Sequence, residues 1–215
     1  MSTMDPTRIV QEGYDLLDGT YRDWVATMHD SPRRAFLGDV LERIPPGCDV
    51  LEVGCGPGTD AVALSAGRRY TGIDLSAVQL AHARALVPDG TFLQTDVLEV
   101  KLPQASFDAV VALYVFGHIP AARTGELFAR IHGWLRRGGW LCASFGTSDN
   151  PGEVERQWLG IADMYFSSLR PEQTDDMLRS AGFDIRSSET IEEVEPGGGT
   201  VAFRWVIARR SDESR

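Results

Sequence analysis

Apolar positions in the first 45 residues recur every three to four places. Ile9, Val10, Tyr14, Leu17, Tyr21, Trp24, Val25 and Met28 fall near the 3.6-residue period and predict one or two helices over 7–28, with Gly13 and Gly19 as candidate breaks. Ser31-Pro32 has the form of an N-cap followed by proline in the first turn. The helix it opens carries Phe36, Leu37, Val40, Leu41 and Ile44 on one face, and Pro45-Pro46-Gly47 ends it. Past that point the pattern changes. Short apolar runs of strand length at 50–53, 70–73, 91–94, 107–113 and 140–145 are interleaved with helical patterns at 60–66, at 76–87 and after Pro120. Ser76-Ala-Val-Gln79 fits a capping box at the second of these helices, and Gly138-Gly139 a turn into the fifth strand. Strands alternating with helices predict an α/β fold, a doubly wound parallel sheet with helices on both faces.

The chain end breaks the alternation. Residues 183–191 and 200–208 read as strands, and the link between them, Glu195-Pro-Gly-Gly-Gly199, is too short for a crossover helix. That pair is expected to be an antiparallel hairpin. With 215 residues, no internal repeat and no linker-like tract, the expectation is one domain over 1–215, made of a helical cap over 1–45 and a core over 46–215.

The stretch Asp49-Val-Leu-Glu-Val-Gly-Cys-Gly-Pro-Gly-Thr-Asp60 passes from buried strand through three glycines into helix. That layout brings backbone N–H groups and a helix start up to a ligand. The spacing is G-x-G-x-G rather than the dinucleotide G-x-G-x-x-G, and no Lys-Ser or Lys-Thr follows, which excludes a phosphate-cradling P-loop. Asp74 ends the next strand about twenty residues on, where a ribose-binding acid belongs. Glu52-Val-Gly-Cys-Gly-Pro-Gly58 with Gly72-Ile-Asp-Leu-Ser76 resembles the class I S-adenosylmethionine-dependent methyltransferases.

The resemblance implies a Rossmann-like, mostly parallel seven-stranded sheet whose last strand runs antiparallel between the fifth and sixth. It implies S-adenosyl-L-methionine as cofactor and S-adenosyl-L-homocysteine as its product form. Gly54, Gly56 and Gly58 would form the turn beside the methionine part, ordered by Glu52. Asp74 would hold the ribose hydroxyls and Leu75 the adenine face. Asp96 with Val97 would read the adenine edge, and Leu113 would close the site after the fourth strand. Tyr14 and Tyr21, from the cap, would reach the methionine carboxylate. His118, in Tyr114-Val-Phe-Gly-His-Ile-Pro120, is the candidate base, since imidazole titrates near neutrality. Trp158 and Tyr165, with His118, are candidates for the acceptor pocket. Alternatively Trp158, Ile161 and Tyr165 form the buried face of a helix. The implied activity is methyl transfer to O or N, less readily C, of a small molecule. Two alternatives share the cofactor site: an enzyme that catalyses cyclisation or elimination, and a non-catalytic cofactor-binding protein.

Composition narrows the partners. The formal net charge is −10, and no Lys/Arg-rich run offsets it beyond Arg209-Arg210. Nucleic acids and anionic membranes are therefore disfavoured. No Asn-Pro-Pro-Tyr or Asp-Pro-Pro-Tyr stands after the fourth strand, where amino-methylating nucleic-acid enzymes carry it. Cys48, Cys55 and Cys142 form no C-x-x-C pair, the four histidines lack metal-ligand spacing, and no carboxylate set suggests Mg²⁺. No metal is expected. The first residues lack a basic segment leading into an apolar one, so a cytoplasmic protein is the expectation. The oligomeric state leaves no trace in the sequence.

Overall fold

A computed structural model describes residues 5–27, 32–194 and 199–211. Met28, Ser31 and most of the 195–199 link, on which parts of the expectations above rest, lie outside them. Helix α1 (Pro6–Ala26) starts at Asp5, whose carboxylate accepts the Thr7 N–H at 3.1 Å. It kinks at Asp18 (φ 35°, ψ −122°) and at neither glycine. Gly13 serves packing instead: a Cβ there would stand 2.7 Å from the Met164 methyl. Helix α2 (Arg33–Arg43) buries Phe36 and Val40, with Ile44 just beyond its end, at a four-residue spacing.

The core then alternates as the apolar runs require: β1 (Asp49–Val53), α3 (Ala61–Ser65), β2 (Arg69–Asp74), α4 (Ala77–Leu86), β3 (Thr91–Gln94), β4 (Phe107–Ala112), α5 (Thr124–Trp134) and β5 (Leu135–Gly146). Two 3-10 turns, Phe116–His118 and Ala121–Arg123, precede α5. A small antiparallel pair follows, β6 (Asn150–Trp158) and β7 (Ala162–Ser168), then α6 (Pro171–Ser180), β8 (Phe183–Val194) and β9 (Thr200–Arg210). The main sheet has seven strands in the order β3-β2-β1-β4-β5-β9-β8. Strands β1 to β5 are parallel, and β9 runs antiparallel between β5 and β8, as expected.

Strand alternation divides the core. Leu51, Val53 and Val110 face one side, with Leu127, Phe128 and Ile131 of α5. Val50, Ala109 and Val111 face the other, with Val40 of α2 and Leu64 of α3. A third cluster joins Ile9, Val10 and Leu17 of α1 to Met164 and Tyr165 of β7, so the cap is pinned to the extra hairpin. Among the described residues no helix is long and apolar enough to cross a membrane.

Three local expectations change. Residues 154–169 hold most of β6, a turn and β7, so the alternative of a helix through Trp158, Ile161 and Tyr165 does not form. Gly138-Gly139 lies inside β5, beside an irregularity in its pairing with β4. The capping box at α4 is half made. Ser76 Oγ accepts the Gln79 N–H at 3.1 Å, but the Gln79 amide turns away and donates to the Tyr14 and Asp18 carbonyls, both at 3.2 Å. The Ser76 N–H goes instead to Asp74 Oδ1 at 2.9 Å.

Candidate functional site

The strand order reverses between β1 and β4, the place where open α/β sheets bind ligands at the carboxyl ends of their strands. The ends of β1 to β4 open there into a narrow cleft of about 90 Å³, roofed by Tyr14 and Tyr21 of α1.

Asp74 organises this cleft. Its Oδ2 accepts the Gly56 N–H at 2.8 Å, and its Oδ1 the Ser76 N–H. One carboxylate thus ties the glycine turn after β1 to the turn after β2. Burial pushes its pKa up, while the N–H groups of Ser76, Gly56 and Leu75 hold it down, with a net rise. Gly54, Gly56 and Gly58 take φ of 65°, 51° and 87°. A Cβ on Gly56 would meet only Tyr21, at 4.0 Å, so its backbone stands open towards the cleft. Gly58 packs elsewhere, with a would-be Cβ 2.8 Å from the Ala83 Cα on α4.

Asp96 faces the same cleft after β3. Its Oδ1 accepts the Leu98 N–H at 2.8 Å, and its Oδ2 the Thr7 hydroxyl at 3.3 Å. Leu75, Val97 and Leu113 complete the apolar lining. Glu52 does not reach the cleft. It is 3% exposed, accepts the Tyr70 hydroxyl, and lies near Asp60 and Arg33. Burial, followed by Asp60, pushes its pKa well above the usual carboxylate range against the pull of Tyr70 and Arg33. Arg33 binds Asp60 through Nε (2.9 Å) and a terminal nitrogen (2.8 Å), which fixes the start of α2 against the turn before α3.

His118 sits on the first 3-10 turn. Its Nδ1 lies 2.9 Å from the Tyr165 carbonyl, which can only accept, so Nδ1 carries the proton. Nε2 then holds the lone pair and accepts the Tyr14 hydroxyl at 2.8 Å. Burial lowers the His118 pKa, against the Tyr165 bond, so the ring is neutral at pH 7. Burial, then Tyr21 and Asp74, raises the Tyr14 pKa well above the ordinary tyrosine value, so its hydroxyl keeps its proton.

Beyond this wall lies a second cavity of about 490 Å³, within the range of roughly 300–1,000 Å³ usual for small-molecule pockets. Trp24, Trp158 and Phe166 line it from α1 and the hairpin, Tyr114 and Phe203 from the sheet. Tyr14, Tyr21, Tyr114 and His118 border both spaces. Tyr165 lines neither. Strand alternation turns it into the cluster under α1 and presents its neighbour Phe166 to the cavity. Trp24, Tyr114, Phe166 and Phe203 were not picked out as site residues. Tyr114 opens the stretch after the fourth strand, Phe166 belongs to the aromatic run around Tyr165, and Trp24 stands three positions past Tyr21 on the same helix face; Phe203 alone has no such signal. Tyr114 stands at φ 60°, with its N–H on Ser144 Oγ at 2.7 Å, which aims the chain from β4 into this wall.

The methyltransferase domain family matches residues 50–139, the stretch that supplies the cleft. The chain is 33% identical over 206 residues to a trans-aconitate 2-methyltransferase of Afipia carboxidovorans, covering 86% of this chain and 78% of that one. It is 26% identical over 186 residues to a sterol 24-C-methyltransferase of Gibberella zeae, covering 76% of this chain and 46% of that one. The chain spans about half the length of the curated relatives it matches first. The solved complex of DhpI with SAH shares the fold, with a TM-score of 0.78 and 21% identity over 99% of this chain and all of the other. Since the family match spans the cleft-forming strands and the 33% identity to the trans-aconitate 2-methyltransferase extends over 78% of that protein, the chain belongs to the class I S-adenosylmethionine-dependent methyltransferases.

Proposed function

We propose that the chain methylates O or N of a small molecule held in the aromatic cavity, with the cofactor in the cleft beside it. One observation carries this: the two spaces share Tyr14, Tyr21, Tyr114 and His118 as a common wall. The residues of the cleft fit the cofactor. The open side of Gly56 would take its sulfur-bearing tail, Asp74 would accept vicinal hydroxyls on its remaining lone pairs, and Asp96 and Leu75 would meet the base. The acceptors named for the relatives, a sterol and an acid, differ from each other, so neither is carried over.

When bound, the cofactor supplies a methyl group already activated on a sulfonium. The chain's share is to align the acceptor and exclude water, and positioning of this kind supplies roughly 7–11 kcal/mol. Tyr14 and Tyr21 roof the reacting space. The neutral His118 ring can take a proton from an acceptor hydroxyl or amine at Nε2, either directly once Tyr14 turns aside or through the Tyr14 hydroxyl between them. In the second route the acceptor's proton goes to Tyr14 and the tyrosine's own proton to His118.

The test is incubation with methyl-labelled S-adenosylmethionine and small-molecule extracts, read by mass spectrometry. A product heavier than its precursor by one labelled methyl is expected, together with S-adenosylhomocysteine. A product isomeric with its substrate, and no labelled one, would contradict methyl transfer and favour cyclisation.

A further inference from the structure

Four hydroxyls lining the cavity beyond the shared wall donate within the protein, while the buried Trp24 Nε1–H has no partner among the described residues. The Tyr114 hydroxyl donates to the Glu193 carboxylate at 2.9 Å, that of Ser167 to the Ile119 carbonyl at 2.5 Å, and that of Thr147 to the Ala202 carbonyl at 3.2 Å. Ser168 spends its single proton on the Ser148 carbonyl at 2.8 Å. The 2.6 Å contact between the Ser148 and Ser168 hydroxyls must then have Ser148 as donor. Both serines are left with lone pairs only.

Charge points the same way. Arg33 is the one basic side chain along the described wall, and its guanidinium is bound to Asp60. Burial opposes its charge, but the Asp60 carboxylate holds the pKa above the ordinary arginine value. Glu153 and Glu155 line the cavity from the exposed strand β6, and Glu155 has no side-chain partner among the described residues. The walls are aromatic. Trp158 lies 5.9 Å from Trp24 and 5.5 Å from Phe166 between ring centroids, and Tyr114 lies 4.8 Å from Phe203. Such walls favour flat rings and, on their faces, cations.

We propose that the acceptor is a flat, nitrogen-bearing ring, neutral or cationic, that enters as a hydrogen-bond donor, and that the cavity discriminates against carboxylates. This rests on the reading that the cavity receives the acceptor. A ring N–H or an ammonium finds partners in Glu155 and the serine oxygens. A carboxylate finds the Tyr114, Ser167, Ser168 and Thr147 hydroxyl protons already engaged, with the Trp24 Nε1–H as a single neutral donor, and meets like charge from Glu153 and Glu155.

Calorimetric titration with S-adenosylhomocysteine present, using tryptamine, indole and indole-3-acetate, tests it on one ring in three charge states. Tryptamine is expected to bind about tenfold or more tighter than indole-3-acetate, with indole between. The gap should shrink to within about threefold in the doubly substituted Glu153→Gln, Glu155→Gln protein. Both glutamates are exposed, so the exchange leaves the fold in place. Preference for the anion, equal binding of all three, an unchanged gap in the variant, or no heat from any of them would each overturn the proposal. If those failures occur while S-adenosylhomocysteine itself binds, the cofactor reading stands. If S-adenosylhomocysteine gives no heat, that reading falls too.

Discussion

Replacing Asp74 with alanine is expected to weaken S-adenosylhomocysteine binding about 100-fold or more. Hydrogen bonds to a charged group contribute about 1.5–3 kcal/mol each, and each 1.4 kcal/mol is tenfold in affinity, so two lost ribose contacts suffice. The substitution does further harm. In the intact protein the same carboxylate accepts from Gly56 and Ser76, so alanine orphans two N–H groups and frees the glycine turn from the turn after β2. Asp74→Asn separates the two contributions: its amide oxygen can keep one backbone bond, but its NH₂ faces the other donor. Its affinity should fall between those of wild type and alanine. Calorimetry on the three proteins checks the order. Equal affinity of Asp74→Ala and wild type would remove Asp74 from the cofactor site.

The second large effect is on stability. Arg33→Met is expected to lower unfolding stability by about 3 kcal/mol, at the low end of the roughly 3–5 kcal/mol typical when one partner of a buried pair is removed. The guanidinium is 21% exposed and the Asp60 side chain 5%, so the cost falls on the carboxylate left behind, close to buried Glu52. Arg33→Met combined with Asp60→Asn should recover more than half of the loss, because no unpaired charge then remains. Urea denaturation of the single and double variants measures this. A loss below about 1 kcal/mol in the single variant would mean that solvent screens the pair as it does a surface ion pair.

How far the sequence spoke depended on whether each signal was local. The cleft was legible because its parts follow individual strands: glycines after β1, Asp74 after β2, Asp96 after β3. Each sits within a few residues of an apolar run that announces the strand. The antiparallel end was legible because the 195–199 link cannot hold a crossover helix. The β6–β7 hairpin was not. Strand β6 is exposed along almost its whole length, so it has no period-two apolar pattern to read, while Trp158, Ile161 and Tyr165 mimic helical spacing. Gly160, at φ 72° in the turn between the two strands, was the available turn signal, and Gly152 marks an irregularity within β6. Tyr165 and Phe166 lie on opposite faces of β7, so which of the two reaches the cavity turns on one residue of register, which the sequence does not show.

The longer-range partners were hidden for a different reason. Arg33 and Asp60 stand 27 positions apart, and Tyr14 and His118 104 apart, with nothing in either neighbourhood to name the other. Glu52 shows the opposite case. It was legible as part of the motif, yet its carboxyl serves the β1–β2 junction through Tyr70 rather than the ligand space. A motif residue can be read correctly as belonging to a turn while its side chain holds up the scaffold beneath.

A crystal structure of the unmodified chain grown with S-adenosylhomocysteine tests the central claim most directly. The adenosine should lie between Asp74 and Asp96, with the ribose hydroxyls on Asp74 and the sulfur turned to the wall formed by Tyr14, Tyr114 and His118. Density for the ligand outside that cleft, or a sulfur facing away from the aromatic cavity, would contradict it.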